Sequence, residues 1–372
     1  MKIAITGDLF LQYSEQITIS DHLKILMSGC DYRIVNLEGP LVTSDINYTP
    51  LKSGPRLKQS ENVVRVLEEM GSNMLTLANN HILDYGIDGY QQTINTLHGR
   101  YLLTGCGTWE EAYKMAVIEM DGLKVGILNF CEMQFGMLHD RWSQSGGQIG
   151  CAWINHPSVD GVIINNKAKV DKLIAICHCG LEMVDVPLPE WRDRYRQLID
   201  LGCDAVIAHH PHVVQGTEIY KNAPICYSLG NFCFVGSESI DDDSWRTGAL
   251  AMLDISKESV FLKTYGVRIN NEKCLTIVPD NEWNLYSSSL NNKLESPDYI
   301  TNVNNICISK YDLYRTVFAM GGLFPADRYW LKHIARIILH RYNYVHTLNN
   351  LQCESHRWCI CRGIRLIQPE IS

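Results

Sequence analysis

DAVIAHHPHVVQ, residues Asp204–Gln215, runs from an apolar, strand-like segment into His209, His210, Pro211 and His212, and then into a second apolar start. His210 and His212 stand two apart, so in extended backbone their side chains share a face. Neutral imidazole is the commonest protein ligand for transition metals. Pro211 removes a backbone donor and stiffens the turn between them. Three imidazoles in four positions at a strand end point to a metal or phosphate site, with a hydrogen-bonded histidine pair in a loop as the plainer alternative.

Outward from this stretch, short β-rich runs alternate with helical patterns from Lys2 to about Tyr265, which predicts an α/β domain. The expected strands are Lys2–Thr6, Tyr32–Leu37, Met74–Leu77, Lys114–Glu119, Lys124–Phe130, Lys172–Cys177, Ala205–Ala208, Thr217–Tyr220 and Ile225–Tyr227. Asp121-Gly122 between two of them is a hairpin signal. Ser60 is the expected cap of a helix over Glu61–Met70. Pro189 opens a second helix over Glu190–Leu201, and Thr108 with Glu111 forms a capping box. Beyond Val267 the texture changes. Asn271–Asn305, rich in Asn and Ser, is expected to be loop, whereas Tyr311–Met320 and Asp327–Tyr344 carry helical spacing. The chain is therefore divided into a main domain, residues 1–267, and a C-terminal loop and helical extension, residues 268–372.

The 372 residues suffice for one large domain with an appendage or for two domains. Apolar content of 46% and charged content of 20% are those of a globular protein. A formal net charge of −8 leaves no global basic field to recruit nucleic acid. The opening MKIAITGDLF lacks the apolar h-region of a signal peptide. No apolar run of about 18 residues occurs, so no membrane span is expected, and a cytoplasmic location is. Cysteines such as Cys177, Cys226 and Cys233 lie inside apolar runs, as expected for reduced thiols. Cys353, His356, Cys359 and Cys361 cluster, but their spacing matches no common zinc pattern.

Functional groups in open α/β sheets collect at the carboxyl ends of strands. Five expected strands end in such groups: Asp8; Asn36 and Glu38; Asn79, Asn80 and His81; His178; and His209, His210 and His212. Each has an ordinary explanation alone, as a cap, a turn residue or a core histidine. Together they make a mixed N/O donor set suited to Zn²⁺, Mn²⁺ or Fe²⁺ rather than Ca²⁺. A set this large can hold two metals bridged by a carboxylate, the arrangement that supports phosphoryl transfer. No phosphate loop, nucleophile elbow or dinucleotide fingerprint competes with it.

The motifs TGD (Thr6–Asp8), NLEGPL (Asn36–Leu41), LANNHILDYG (Leu77–Gly86), HCGLE (His178–Glu182), HHPHVVQ (His209–Gln215) and YSLGNFCF (Tyr227–Phe234) resemble the CapA family of capsule-biosynthesis proteins. That family is linked to poly-γ-glutamate capsule synthesis and grouped with the calcineurin-like metallophosphoesterases. The resemblance covers roughly residues 2–255. It implies a sandwich of mixed β-sheets flanked by helices, and a metal-dependent hydrolase of the metallophosphoesterase type acting in capsule or exopolymer biosynthesis. It also implies two divalent ions (Mn, Zn or Fe). Asp8 and His212 would hold the first ion, Asn80, His178 and His210 the second, and Glu38 would bridge them. His81 would protonate the leaving group or steady the transition state, with Asp84 orienting it. The expected substrate is an anionic small molecule or polymer, and capsule synthesis machinery the expected partner.

Departures from the family and superfamily patterns accompany these matches. Phe10 stands where the superfamily has a histidine. Cys179 and Met183 replace aromatics expected at the mouth of the site. Lys52 and Arg56, in LKSGPR, are expected in a solvated loop. A non-catalytic assembly or polymer-binding component with a degenerate metal site is the alternative to a hydrolase. Amide chemistry on a γ-glutamyl polymer is a third reading.

Overall fold

Alternation along the strands decides the architecture. In Lys2–Leu11, Ile3 and Ile5 enter one apolar cluster and Ala4 another, on the opposite face. The structure, a computed structural model, describes residues 1–12, 17–43, 45–140, 147–236, 242–319 and 345–368.

Two mixed sheets pack face to face. The first runs in the order Thr18–Ile19, Cys274–Ile277, Val260–Ile269, Thr247–Ile255, Lys2–Leu11, Tyr32–Leu37, Met74–Thr76, Leu102–Thr104. The second runs Thr217–Tyr220, Ala223–Cys226, Ala205–His209, Lys172–His178, Leu123–Cys131, Ala116–Met120. Between them lie Ile3, Ile5 and Ile34 from one sheet and Val125, Ile127, Ile174, Ile176 and Ile207 from the other. Helices cover both outer faces. Val63, Val66 and Leu67 of the Asn62–Glu69 helix close one, and Trp191, Tyr195 and Leu198 of the Pro189–Asp200 helix close the other. This is the helix-flanked sandwich expected from the resemblance.

Several local signals survive intact. The Thr108–Glu111 capping box is formed. Asp121 and Gly122, both at positive φ, join Ala116–Met120 to Leu123–Cys131 as an antiparallel hairpin. The expectation of loop over Asn271–Asn305 is corrected. That segment forms the strand Cys274–Ile277, the helix Asp280–Glu295 and the start of the helix Tyr299–Ala319. Asn and Ser are weak helix formers, but propensity yields to burial. Trp283, Leu290 and Leu294 fall at helical spacing, are buried, and Trp283 Nε1 donates to the Thr264 carbonyl at 3.0 Å. The helix expected over Asp327–Tyr344 lies outside the described residues. None of the described helices is long and apolar enough to cross a membrane.

Gly7 sets the geometry around Asp8. Up to Thr6 the first strand pairs antiparallel with Thr247–Ile255, and from Asp8 it pairs parallel with Asn231–Val235. The pairing with Tyr32–Leu37 also shifts register between Ile5 and Asp8. Such an irregularity re-aims a side chain. A Cβ on Gly7 would sit 1.9 Å from the Gly230 carbonyl oxygen, so the change of partner requires glycine. Gly7→Ala is expected to cost about 1–3 kcal/mol or more, as overpacking does. A urea unfolding midpoint equal to wild type would show that the strand is not pinned there.

Candidate metal centre

Asp8, in the interior strand Lys2–Leu11, is 0% exposed. Its Oδ1 accepts from Asn36 Nδ2 at 2.7 Å and lies 3.0 Å from His209 Nδ1; its Oδ2 accepts from the His210 backbone N–H at 3.1 Å. Burial pushes its pKa up, but the imidazoles of His209 and His178 outweigh this and hold it well below the usual carboxylate range. Glu38 follows the neighbouring strand Tyr32–Leu37 and is equally buried. Gln59 Nε2 fixes its backbone by donating to the Glu38 and Leu9 carbonyls at 2.7 and 2.9 Å.

The Glu38 carboxylate has no hydrogen-bond partner at either oxygen. Three imidazoles surround it instead: Nε2 of His81, His178 and His212 lie 3.9, 3.9 and 3.8 Å from Oε1. The partner of each ring's Nδ1 sets that aim. His81 Nδ1 is 2.7 Å from Asp84 Oδ2, His212 Nδ1 is 2.9 Å from Asn231 Oδ1, and His178 Nδ1 is 2.8 Å from His209 Nδ1. Asn80 Oδ1 adds an oxygen 3.0 Å from His178 Nε2.

Burial pushes Glu38 well above the usual carboxylate range, with the Asp8 charge acting in the same sense. Burial also pushes His178 down to about 3. Imidazole nitrogens gathered around a carboxylate lacking any donor make a set that a divalent cation satisfies. Two donors bound to one ion at about 2.0–2.2 Å stand roughly 3–3.5 Å apart. The observed 3.8–3.9 Å is a few tenths of an ångström wider, within the reach of side-chain adjustment. The residues therefore fit a metal.

Asp8, Glu38, Asn80, His178 and His212 thus converge on one small volume. Among the described residues, Asp8, Glu38 and His212 form one close donor group, Asp8, His178 and His209 another, and Glu182, His210 and His212 a third. His210 borders the volume differently. Its ring centroid is 4.4 Å from that of His178, its Nδ1 is buried without a partner, and its Nε2 faces Gln134 at 2.8 Å and Glu132 Oε1 at 3.4 Å. Nδ1 is therefore the His210 nitrogen without a protein partner. His210 and His212 both hold positive φ, at 105° and 60°. Such backbone costs of order 1–3 kcal/mol per residue and gathers at functional sites.

Two expectations are corrected. Lys52 is not solvated: its side chain is 3% exposed, ion-paired with Asp84, with Nζ 3.0 Å from His81 Nδ1. Burial lowers its pKa, and Asp84 opposes the shift. Cys179 does not reach the site mouth but packs in the core beneath the Pro189–Asp200 helix. Met183 does line a surface groove, together with Asp185 and Lys310. Arg56 is exposed, over the Tyr85 ring. Phe10 is buried against Phe234, whose ring packs on His212, and so forms an apolar wall on that side. The Cys353, His356, Cys359 and Cys361 side chains form no donor group among the described residues; Cys353 lies beside Glu132 and Cys361 is exposed.

A cavity of about 240 Å³ opens beside Asn80, walled by Lys52, Asp84, Phe135 and, from the helix Val345–Gln352, Leu348 and Gln352. Sequence reasoning missed Glu132 and Gln134. Both follow the strand Leu123–Cys131, and a carboxylate at a strand end was the available signal.

The model of the family described as "Bacterial capsule synthesis protein PGA_cap" matches residues 3–235. The capsule biosynthesis protein CapA of Bacillus anthracis is 27% identical over 263 residues, covering 70% of this chain and 60% of that protein. The PGA biosynthesis protein CapA of Bacillus subtilis is 27% identical over 271 residues, covering 69% and 68%. Among solved structures, the 5'-nucleotidase of Candida albicans aligns over 80% of this chain and 54% of its own, with a TM-score of 0.43 and 11% identity.

Lys52→Ala removes the cation from the buried Asp84 Oδ1, leaving only His81 Nδ1 and the Leu57 N–H on Oδ2, and is expected to destabilise the fold by up to about 3–5 kcal/mol. The double variant Lys52→Met, Asp84→Asn is expected to recover part of that loss in urea unfolding. A neutral Lys52→Ala would show that the pair is solvated.

Proposed function

The chain belongs to the bacterial capsule synthesis protein family matched over residues 3–235, and from that membership we propose that it is a metal-dependent hydrolase of the phosphoesterase type acting in capsule or exopolymer metabolism. The observation that carries this reading is the Glu38 carboxylate, fully buried, without a hydrogen-bond partner and ringed by three imidazole Nε2 atoms. Asp8 and His212 would hold one ion, Asn80, His178 and His210 a second, and Glu38 both. Bound divalent ions supply Lewis acidity toward a phosphoryl oxygen and lower the pKa of water.

The chain's own residues do the rest. Asp84 accepts from His81 Nδ1–H and would stabilise the imidazolium formed when Nε2, facing the donor cluster, takes up a proton from solvent; Nε2–H would then pass that proton to the leaving oxygen and return the ring to neutral. Lys52 neutralises Asp84 and fixes its second oxygen. The cavity beside Asn80 would receive the substrate, an anionic small molecule or polymer end. The proposed setting is the cytoplasm, with the fourteen unpaired cysteines reduced.

A second reading rests on Phe10. With an apolar ring in place of a ligand, the first ion has fewer protein donors, and the chain would act as an assembly or polymer-binding component. Assays with Mn²⁺ or Zn²⁺ on p-nitrophenyl phosphate and bis(p-nitrophenyl) phosphate separate the two. Turnover is expected, with His81→Ala lowering kcat by about 10²–10⁴-fold while metal content stays unchanged. Full metal occupancy without turnover on either ester would favour the assembly reading.

A further inference from the structure

Glu132 is fully buried just past the end of Leu123–Cys131. Its Oε1 accepts from the Gly180 N–H at 3.1 Å and stands 3.4 Å from His210 Nε2. Its Oε2 accepts from the Ser355 N–H at 2.9 Å, with Cys353 Sγ at 3.7 Å. Ser355 lies in the first turn of the C-terminal helix Glu354–Ile367. The bonding is reciprocal. Glu354 Oε2 accepts from the Met133 N–H at 2.9 Å and Trp153 Nε1 at 3.0 Å, and its Oε1 accepts from Asn155 Nδ2 at 3.0 Å. Trp191 Nε1 adds a bond to Ser355 Oγ at 2.8 Å. The first turn of that helix and residues 132–133 therefore satisfy each other's buried polar groups.

We propose that Glu132 is a positioning residue for His210, and that the C-terminal helix Glu354–Ile367 is a working part of the metal centre because it holds Glu132 in place. The proposal rests on the metal-centre reading above and extends it to a helix beyond the family match, which ends at residue 235. A histidine that binds a metal through one nitrogen is oriented by what its other nitrogen meets, commonly a carboxylate. Here Nδ1 of His210 is the partnerless nitrogen, and Nε2 faces Glu132 and Gln134. Gln134 meets this nitrogen through its amide Nε2; with the amide turned to present its oxygen, as amide assignment permits, Gln134 accepts from Nε2–H beside the Glu132 carboxylate at 3.4 Å and the Nδ1 lone pair is left for the ion. Glu132 cannot rotate away, because each oxygen is already bonded to a backbone N–H of a different segment.

Calorimetric titration of the metal-free full chain with Mn²⁺, with bound metal counted by mass spectrometry, tests this. Wild type is expected to bind two ions. Glu132→Gln is expected to weaken one binding step about 10–100-fold, the usual effect of losing such a partner, and to leave the other step unchanged. Glu354→Ala, which leaves Glu132 in the chain but removes its support, is expected to weaken the same step, and Glu354→Gln to restore it. Either Glu132→Gln or Glu354→Ala, folded by circular dichroism and binding both ions as wild type does, overturns the proposal. The Glu354 pair decides the matter if Glu132→Gln does not fold. Wild type that binds no ion overturns the metal-centre reading itself and this proposal with it, so the two failures are told apart by the wild-type titration.

Discussion

Two carboxylates, Asp8 and Glu38, lie fully buried on and just after neighbouring interior strands of one sheet, and the surrounding structure is organised around keeping them there. Removing such groups from water costs several kcal/mol each unless charge and hydrogen bonds compensate. Asp8 receives its compensation from the protein, through Asn36, the His210 N–H and the imidazoles beside it. Glu38 receives none. The asymmetry between these neighbours is what a cation would remove, with Nε2 of His81, His178 and His212 all within 3.9 Å of Glu38 Oε1 and Asn80 Oδ1 close by.

Holding that arrangement takes backbone devices spread over the chain. Gly7 lets the first strand change partner so that Asp8 points out of the sheet edge. Positive φ at His210 and His212 turns two imidazoles of a short segment in different directions. Asn231, in the strand that takes over pairing at Asp8, fixes His212. Lys52, from a loop without regular structure, neutralises the Asp84 that steers His81. The helices after residue 280 then close one side of the cavity and brace Glu132.

Much of this was legible because it is local. Apolar β-rich runs ending in polar residues marked the site-bearing strands, and Tyr32–Leu37 and Thr217–Tyr220 begin and end where the pattern placed them. What stayed hidden is non-local. Nothing in LKSGPR shows that Lys52 will be buried on Asp84, thirty-two residues away in sequence. Glu132 carried the same strand-end signal as Glu38 but owes its position to Ser355, 223 residues later. The helix at Asp280–Glu295 was obscured by Asn and Ser, although Trp283, Leu290 and Leu294 already carried the period. His209, first grouped with its neighbours by crowding, proves to stand behind Asp8 and His178.

The central claim is that divalent ions complete the buried donor set around Glu38. Anomalous diffraction at the manganese edge, from crystals of the protein grown with Mn²⁺, tests it directly. The expected result is density on both sides of the Glu38 carboxylate, one peak shared with Asp8 and His212 and one with Asn80 and His178. Crystals grown in saturating Mn²⁺ with no anomalous peak at Glu38, or with Glu38 bonded to protein donors alone, would contradict it.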